Sequence, residues 1–343
     1  MKICVVGGNG NIGCSVVSHL LKLGHHVTCY NRGLSGPVPD GVEFIKGNRH
    51  DSEKFEQTIQ DRGFDAAIDL VCFSHDDALS SIRAFRGVSH FICCSSVATY
   101  GREFDSFPTT EDHPLRPWTD HNKKYAIGKA QADEAFLEAF RSEGFPVTII
   151  KPSITYGPKM GLIRQIGSDL EWIDRIRQGM PIVVSGDGTA LHQFMNVYDA
   201  GLAFALLVGK VNCVGESYNL VDEQPTSWEA YHRTVMHVIG REVEMVGIPA
   251  STLARLMSIK AIHLSDIFWR NSYFSGRKLQ SAIPEFRPHI SLKDGIEEVL
   301  AVLDKEGRIP NVKRGGWEDK LIKAQKNVGL TSNVKSWLSF FRS

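Results

Sequence analysis

Two side chains in the stretch KYAIGKAQADEAFLE, a phenol and an ammonium, have types and a spacing that could support proton transfer. Tyr125 and Lys129 are four residues apart in a segment with helical periodicity, so they share one helix face. The ammonium would favour the ionised phenol, which could act as a general base for a substrate hydroxyl. Gly128 lies between them, although glycine costs a helix about 1 kcal/mol relative to alanine. We therefore expect a close neighbour to crowd any side chain at Gly128.

The elements that must position this pair alternate between strand and helix through the first half of the chain. Apolar runs such as KICVV and HFICC alternate with helical segments of roughly 10 to 15 residues, which predicts βαβ units and a parallel sheet. We expect a doubly wound α/β fold of the Rossmann type with a smaller C-terminal substrate-binding lobe. The predicted parts are a dinucleotide-binding domain over 1–170, to which 193–222 returns, an interleaved lobe over 171–311, and tail helices over 312–343.

A glycine-rich stretch, GGNGNIG, joins the first strand to the first helix. Gly7, Gly10 and Gly13 let the backbone approach a pyrophosphate, which the N–H groups of the following helix would face. The strand-to-helix context supports a dinucleotide site, although the GxxGxxG spacing departs from the strict GxGxxG pattern. At the end of the second strand a neutral Asn31 precedes Arg32, whose fork suits a 2′-phosphate. The sequence therefore favours NADP(H), with NAD(H) as the alternative.

A wider set of motifs resembles the extended short-chain dehydrogenase/reductase family, the NAD-dependent epimerase/dehydratase group. The resemblance spans roughly residues 1–310 and includes GxxGxxG, FICCSSVATYG, the tyrosine–lysine pair, KPSITYGP and HQFMNVYDAGLA. It implies that Ser96 rather than Ser95 is the catalytic hydroxyl and that Tyr125 is the acid/base. Lys129 would bind the nicotinamide ribose and hold Tyr125 ionised. The neighbour that crowds Gly128 would then be another helix or the cofactor. The cofactor-binding residues expected from it are Gly7, Gly10, Asn11, Ile12, Gly13, Asn31, Arg32, Asn48, Tyr125, Lys129 and Pro152.

The residues after Ser96 argue against one reaction of that family. Family 4,6-dehydratases carry Thr-Asp-Glu at this strand end, whereas Val97 and Ala98 supply no carboxyl group, so dehydration is not expected. Alcohol oxidation and ketone reduction remain, and both in sequence give epimerisation. We therefore expect an NAD(P)-dependent epimerase or oxidoreductase that acts on a hydroxyl or ketone carbon.

The second half of the chain leaves the substrate class open. The resemblance favours a nucleotide sugar, and Ser96, His192 and Arg270 are the predicted substrate-binding residues. However, His192 stands where sugar-nucleotide epimerases use arginine, and imidazole is charged only part of the time near pH 7. An NADPH-dependent reductase of a non-nucleotide small-molecule carbonyl is the alternative. A catalytically silent RNA-binding or regulatory Rossmann protein is an alternative of another class, against which the intact Ser96, Tyr125 and Lys129 argue.

The amino-acid composition limits which binding partners and which cellular compartment are expected. The 343 residues include 39 Lys+Arg and 39 Asp+Glu, so we expect a small-molecule substrate and neither nucleic acid nor membrane as partner. No run reaches the roughly 18 apolar residues of a membrane span. Seven cysteines without CxxC spacing predict buried thiols in a reducing, cytoplasmic compartment. The 13 histidines show no spacing typical of metal ligands, so no metal is expected. The expected oligomeric state is a homodimer.

Overall fold

The structure is a computed structural model that describes residues 1–117, 123–256 and 267–327. The chain divides into two compact units. The first comprises Met1–Met160, Leu191–Thr226 and Asn271–Gly295; the second comprises Gly161–Ala190, Ser227–Arg270 and the chain from Ile296 on. Of the predicted tail over 312–343, residues 317–327 form a helix and 328–343 lie outside the described residues.

The strands of the described residues are mostly short. In chain order they are β1 (Lys2–Val6), β2 (His26–Asn31), β3 (Glu43–Lys46), β4 (Ala66–Asp69), β5 (His90–Cys94), β6 (Val147–Pro152), β7 (Ile154–Tyr156), β8 (Ile182–Ser185), β9 (Leu191–His192), β10 (Phe194–Asn196), β11 (Ser217–Leu220), β12 (Thr226–Ser227) and β13 (Met245–Ile248).

The helices follow the alternation that the sequence predicts. They are α1 (Gly13–Lys22), α2 (Ser52–Ile59), α3 (His75–Ala84), α4 (Lys123–Glu143), α5 (Glu171–Arg177), α6 (Val197–Leu207), α7 (Trp228–Ile239), α8 (Ala250–Leu256), α9 (Arg277–Ala282) and α10 (Leu292–Lys305), with 3₁₀ turns at Val97–Tyr100 and Val211–Cys213.

A seven-stranded sheet forms the centre of the first unit. Its order is β11-β6-β5-β4-β1-β2-β3, and every neighbouring pair is parallel. Val5 of β1, for example, lies opposite Cys29 of β2 and Ile68 of β4. The order reverses beside β1, which is the signature of a doubly wound sheet. The predicted α/β fold of the Rossmann type is therefore confirmed.

Helices cover both faces of this sheet. α1 and α6 pack together on one face, while α2, α3 and α4 pack in succession on the other. α1 directs Val16, Val17 and Leu20 into the core, where burial of each such side chain is worth about 1.5–3 kcal/mol. It ends before Gly24, whose φ of +78° is the left-handed conformation that glycine adopts without strain.

Ser227 and Asp51, polar residues that directly precede helical periodicity in the sequence and are therefore predicted caps, are the N-cap residues of α7 and α2. Ser227 caps α7, because its hydroxyl accepts a hydrogen bond from the backbone N–H of Ala230 at 3.1 Å. Asp51 occupies the N-cap position of α2, as predicted, but its side chain accepts no capping hydrogen bond there. The Asp51 carboxylate lies 2.9 Å from Lys54 Nζ, an i, i+3 ion pair at the start of the helix.

The second unit has its own apolar core and a buried ionic cluster. β8 and β13 pair in parallel, and Val183, Val246, Ile248 and Leu253 contribute to the core. Glu318 in the helix over 317–327 accepts from Arg164 Nη2 at 2.6 Å and from Val183 N at 2.7 Å. This helix therefore supplies a charge that the buried arginine requires.

All seven cysteines are free thiols, and six are fully buried while Cys14 is half-buried. This confirms the expectation of buried thiols. Within the described ranges, no helix combines the length and the apolar character needed to cross a membrane.

Candidate functional site

The glycine-rich stretch forms a tight backbone cradle between β1 and α1. Gly7 has a φ of +85°, its N–H donates to the Tyr30 carbonyl at 3.0 Å, and its carbonyl accepts from Gly10 N at 2.9 Å. A Cβ on Gly13 would overlap the Gly7 carbonyl oxygen. The N-terminus of α1 therefore packs directly on the loop, as a pyrophosphate cradle requires.

A cavity of about 330 Å³ opens beside this cradle. Five residues predicted to bind the cofactor line it, namely Gly7, Gly10, Asn31, Arg32 and Asn48. The lining residues that the sequence analysis missed are Asn9, Tyr30, Gly33, Leu34, Ser35, Gly47, Arg49, His50, Val71 and Phe73. Asn11, Ile12, Gly13 and Pro152, which were also predicted, are not among the residues that line this cavity. The residues present at the cradle and along the cavity fit a dinucleotide.

A lysine and an asparagine tie the loop after β2 to the glycine cradle. Lys159 Nζ donates to the Asn9 carbonyl at 2.8 Å and to the Ser35 carbonyl at 2.7 Å. Asn9 Nδ2 donates to the Gly36 carbonyl at 2.7 Å. These contacts join residues up to 150 positions apart, so the local sequence carries no signal for them.

Arg49 forms a buried wall of the cavity. Its guanidinium donates to Ser81 Oγ at 2.8 Å and lies 3.4 Å from Asp69 and 3.6 Å from Asp77. Burial disfavours the charge, but Asp69 and the other neighbouring acids raise the pKa of Arg49 above the ordinary arginine value. Arg49 is thus held as a fixed cation by carboxylates from β4 and α3.

The two serines at the end of β5 have different environments. Ser95 is 2% exposed, and its hydroxyl donates to Asp133 Oδ2 at 2.9 Å. Ser96 is half-buried, and its Oγ accepts from the Ala98 N–H at 3.1 Å as the cap of the 3₁₀ turn. The Ser96 hydroxyl can still donate its proton elsewhere, whereas the Ser95 proton is committed to Asp133.

Lys129 is buried at the same strand end. It is 2% exposed, its Nζ donates to the Cys94 carbonyl at 2.5 Å, and it lies 4.5 Å from the centre of the Phe73 ring. Burial alone would lower the pKa of Lys129, but the Cys94 and Tyr125 side chains raise it, and the net pKa lies above the ordinary lysine value. The ammonium is therefore charged at neutral pH.

Tyr125, one helical turn earlier, is 36% exposed. Its ring centre lies 6.2 Å from that of Phe73. It lines an open cavity of about 650 Å³ together with Phe73, Ser74, Lys124, Ile127, Gly128 and Gln131. The structure thus gives the predicted acid/base access to a ligand and places a fixed cation behind it on the same helix face.

Gly128 brings α4 against the segment that precedes α3. A Cβ there would overlap the carbonyl oxygen of Phe73 and lie 3.6 Å from Ser74 Cα. The glycine is therefore required by a neighbouring backbone. Of the two neighbours expected from the sequence, a helix or a cofactor, the structure shows the entry to a helix.

The predicted substrate residues other than Ser96 are divided between the units. His192 is 2% exposed and belongs to the first unit. Arg270 belongs to the second, where its guanidinium lies 4.4 Å from the centre of the Trp269 ring. Among the described residues, no group of three His, Cys, Asp or Glu side chains could hold a metal ion.

Over residues 3–220 the chain matches the NAD dependent epimerase/dehydratase family, and it belongs to that family. The family prediction is therefore confirmed, and with it the prediction of an enzyme. Relatives include UDP-glucose 4-epimerases, dTDP-glucose 4,6-dehydratases and a reductase.

Two relatives illustrate the range of that similarity. The chain is 27% identical over 316 residues to 2'-dehydrokanamycin reductase of Streptomyces kanamyceticus, covering 92% of this chain and 88% of that protein. It is also 27% identical over 244 residues to the chloroplast stem-loop binding protein of 41 kDa b of Arabidopsis thaliana, covering 66% of this chain and 60% of that protein.

Solved structures show the same fold. A UDP-glucose 4-epimerase of Thermotoga maritima, determined with UDP-glucose, superimposes with a TM-score of 0.71 at 21% identity and covers 89% of this chain and 99% of its own. At this identity the likeness establishes the architecture, and the chemistry must be argued from the site.

Proposed function

We propose that the chain is an NAD(P)-dependent epimerase or oxidoreductase that interconverts a hydroxyl and a ketone on a nucleotide sugar. The observation that carries this proposal is the pairing of an accessible Tyr125 with a buried, charged Lys129 one turn later on α4. Both follow β5, whose carboxyl end also presents Ser96. In doubly wound sheets, ligands bind outside the carboxyl ends of the strands.

The chain's own residues would handle the proton of the reaction. A bound nicotinamide would accept or supply the hydride. The Tyr125 phenolate would take the proton of the substrate hydroxyl, and the phenol would return it in the reverse direction. Lys129 would stabilise the phenolate, and Ser96 would donate a hydrogen bond to the substrate oxygen through the proton that its cap bond leaves available.

NADP(H) is the proposed preference, with NAD(H) as the alternative. Among the described residues that line the cavity none carries a carboxylate, and Asn31 at the end of β2 presents an amide whose Oδ1 accepts from Gly33 N at 2.8 Å. The exposed Arg32 lies on the cavity wall, where its fork could bind a 2′-phosphate. We expect Arg32→Ala to reduce the ratio of kcat/KM for NADPH over NADH by about tenfold, the loss of one charged contact.

Arg62→Ala is the matched control for this experiment. Arg62 is also a partly exposed arginine of the first unit, but it pairs with Glu43 at 3.3 Å and does not line the cavity. Its replacement should leave the NADPH/NADH ratio unchanged. An unchanged ratio in Arg32→Ala as well would contradict the proposed role of Arg32 in NADP(H) preference.

A nucleotide sugar is the proposed substrate because UDP-glucose 4-epimerases are among the relatives. The decisive experiment incubates the protein with UDP-, GDP- and dTDP-hexoses and either dinucleotide, with product detection by chromatography and mass spectrometry. Interconversion of any of these sugars supports the proposal. Turnover restricted to carbonyl compounds without a nucleotide would instead identify the protein as a small-molecule reductase. RNA binding without any turnover would identify it as a catalytically silent RNA-binding protein.

We also propose that the chain acts as a cytoplasmic homodimer without a nucleic-acid or membrane partner. Seven free cysteines support a reducing compartment, and equal numbers of acidic and basic residues give no polyanion-binding charge. Sedimentation velocity tests the homodimer, since a single species at 38.2 kDa would contradict it.

A further inference from the structure

A buried ion pair lies beneath the proposed catalytic strand end. Asp133 of α4 and Lys151 of β6 are 1% and 2% exposed, and their side chains are in direct contact. Removing two charges from water is costly unless geometry and further hydrogen bonds compensate. The proton-transfer scheme proposed above uses neither residue, so the reason for placing charges here lies elsewhere.

The pair is connected to Ser96 through a chain of hydrogen bonds. Lys151 Nζ donates to Thr99 Oγ1 at 2.9 Å. The Thr99 hydroxyl and backbone N–H both donate to the Ser96 carbonyl, at 2.9 and 3.2 Å. On the other side, Asp133 Oδ2 accepts from the Ser95 hydroxyl at 2.9 Å. Ser95, which precedes Ser96 in the chain, and Thr99, which binds the Ser96 carbonyl, are thus both hydrogen-bonded to the same ion pair.

The same pair fixes α4 relative to β5. Tyr125, Lys129 and Asp133 follow one another at intervals of four residues and therefore share a helix face. Lys129 binds the carbonyl of Cys94, and Asp133 binds the hydroxyl of Ser95. Two successive turns of the helix are thereby bound to two successive residues of the strand end, which sets the distance between Tyr125 and Ser96.

We infer that Asp133 and Lys151 are positioning residues that hold Ser96 and Tyr125 in register for the reaction. The inference rests on the proposed function for its catalytic consequence, because only a reaction that uses both residues depends on their register. A displacement of about 1 Å between catalytic groups can cost on the order of 10²-fold in rate.

The first test measures the position of Ser96 without any substrate. Hydrogen exchange of the Ala98 and Thr99 amides reports on Ser96, because these amides donate to its Oγ and its carbonyl. In the double variant Asp133→Asn/Lys151→Met, which removes both charges together, we expect these two amides to exchange at least tenfold faster. The Phe91 amide, which donates to the Pro146 carbonyl at 2.9 Å near the amino end of β5, should be unaffected.

The second test measures catalysis with the nucleotide sugar that the wild-type protein converts. In the double variant, kcat should fall about 10- to 100-fold. The dinucleotide Kd should stay within about twofold, because neither residue lines the cavity beside the glycine cradle. The single variant Asp133→Asn leaves Lys151 buried without its partner, so its melting temperature should fall further than that of the double variant.

Thr148→Val is the matched control. Thr148 lies on β6, as Lys151 does, but at the amino end, where it contacts His90 Nε2 at 2.8 Å and donates to Cys213 O at 2.6 Å. Its loss should lower the melting temperature and leave kcat unchanged. If the double variant kept wild-type amide exchange and wild-type kcat, the pair would be structural only. If its amide exchange rose but wild type converted no nucleotide sugar, positioning would stand and the proposed function would fail.

Discussion

The two ends of β5 and β6 are equally buried but chemically different. At the amino end, His90 and Thr148 form a neutral pair that is 1% and 0% exposed. At the carboxyl end, Asp133 and Lys151 form a charged pair among hydroxyl groups. Neutral hydrogen bonds are sufficient to hold two strands together, and a buried ion pair is often no more stabilising than apolar residues. The comparison therefore supports the site proposed at the end where charge is retained.

The ionisation of buried side chains also differs between the amino and carboxyl ends of β5. Burial lowers the pKa of His90 to about 4, so this side chain is neutral at physiological pH. At the other end, the pKa of Lys129 is raised despite burial, so its charge persists. Groups with strongly perturbed ionisation cluster at functional sites, and here only the charged end is adjacent to an accessible acid/base, Tyr125.

The largest expected effect is that of Tyr125→Phe. Because the change removes the acid/base and retains the ring, kcat should fall about 10²–10⁴-fold while dinucleotide binding stays nearly unchanged. Steady-state kinetics and calorimetry measure the two quantities. Retention of more than a tenth of the wild-type kcat would remove Tyr125 from the proposed chemistry.

Ser96→Ala and Ser95→Ala should separate the two adjacent hydroxyls. Ser96→Ala removes the donor proposed for the substrate oxygen and should reduce kcat about 10²-fold. Ser95→Ala removes a hydrogen bond to buried Asp133 and should cost about 1–3 kcal/mol of unfolding free energy. Kinetics and urea unfolding on both variants compare them. A larger kcat loss in Ser95→Ala than in Ser96→Ala would reverse the assignment.

Gly128→Ala should destabilise the protein although alanine is the better helix former. On an exposed helix the change would stabilise by about 1 kcal/mol, but here the Cβ meets the Phe73 carbonyl oxygen. Overpacking of this kind costs about 1–3 kcal/mol, which urea unfolding measures. Glu134→Ala, at an exposed position of the same helix, is the control and should change the free energy by less than about 0.5 kcal/mol.

His90, at the amino end of β5, should make the unfolding free energy depend on pH. The folded-state pKa of His90, about 4, lies below its ordinary value of 6.5, so the unfolded chain binds the proton first and stability falls between pH 6.5 and 4. His90→Gln should remove about 1–2 kcal/mol of the loss in unfolding free energy between pH 7 and 5. An identical loss in variant and wild type would show that His90 does not titrate with unfolding. His75→Gln on exposed α3 surface is the control.

The sequence predicted best what is encoded locally. The βαβ alternation, the glycine cradle and the lining of the cavity by Asn31 and Arg32 all follow from residues close together along the chain, whereas Asn48 was expected only from the family resemblance. Asp51 also occupies the N-cap position predicted for it, where its carboxylate contacts Lys54 Nζ.

What the sequence could not show depends on long-range contacts. Lys159 reaches Asn9 across 150 positions, and Asp133 meets Lys151 only because α4 and β6 pack together. Similarly, the helical spacing located Tyr125 and Lys129, but only the packing of Phe73 against α4 explains Gly128. Such pairs have no periodicity or motif of their own, so they require the structure.

The most direct measurement of the central claim is calorimetric titration of NADP⁺ and NAD⁺ into wild-type protein, Tyr125→Phe and Gly13→Ala. The account predicts that wild type and Tyr125→Phe bind a dinucleotide with similar affinity. Gly13→Ala should bind it at least tenfold more weakly, because its Cβ overlaps the Gly7 carbonyl in the cradle. Folded wild-type protein that binds neither dinucleotide would contradict the account, because the proton transfer assigned to Tyr125 would then have no accompanying hydride acceptor.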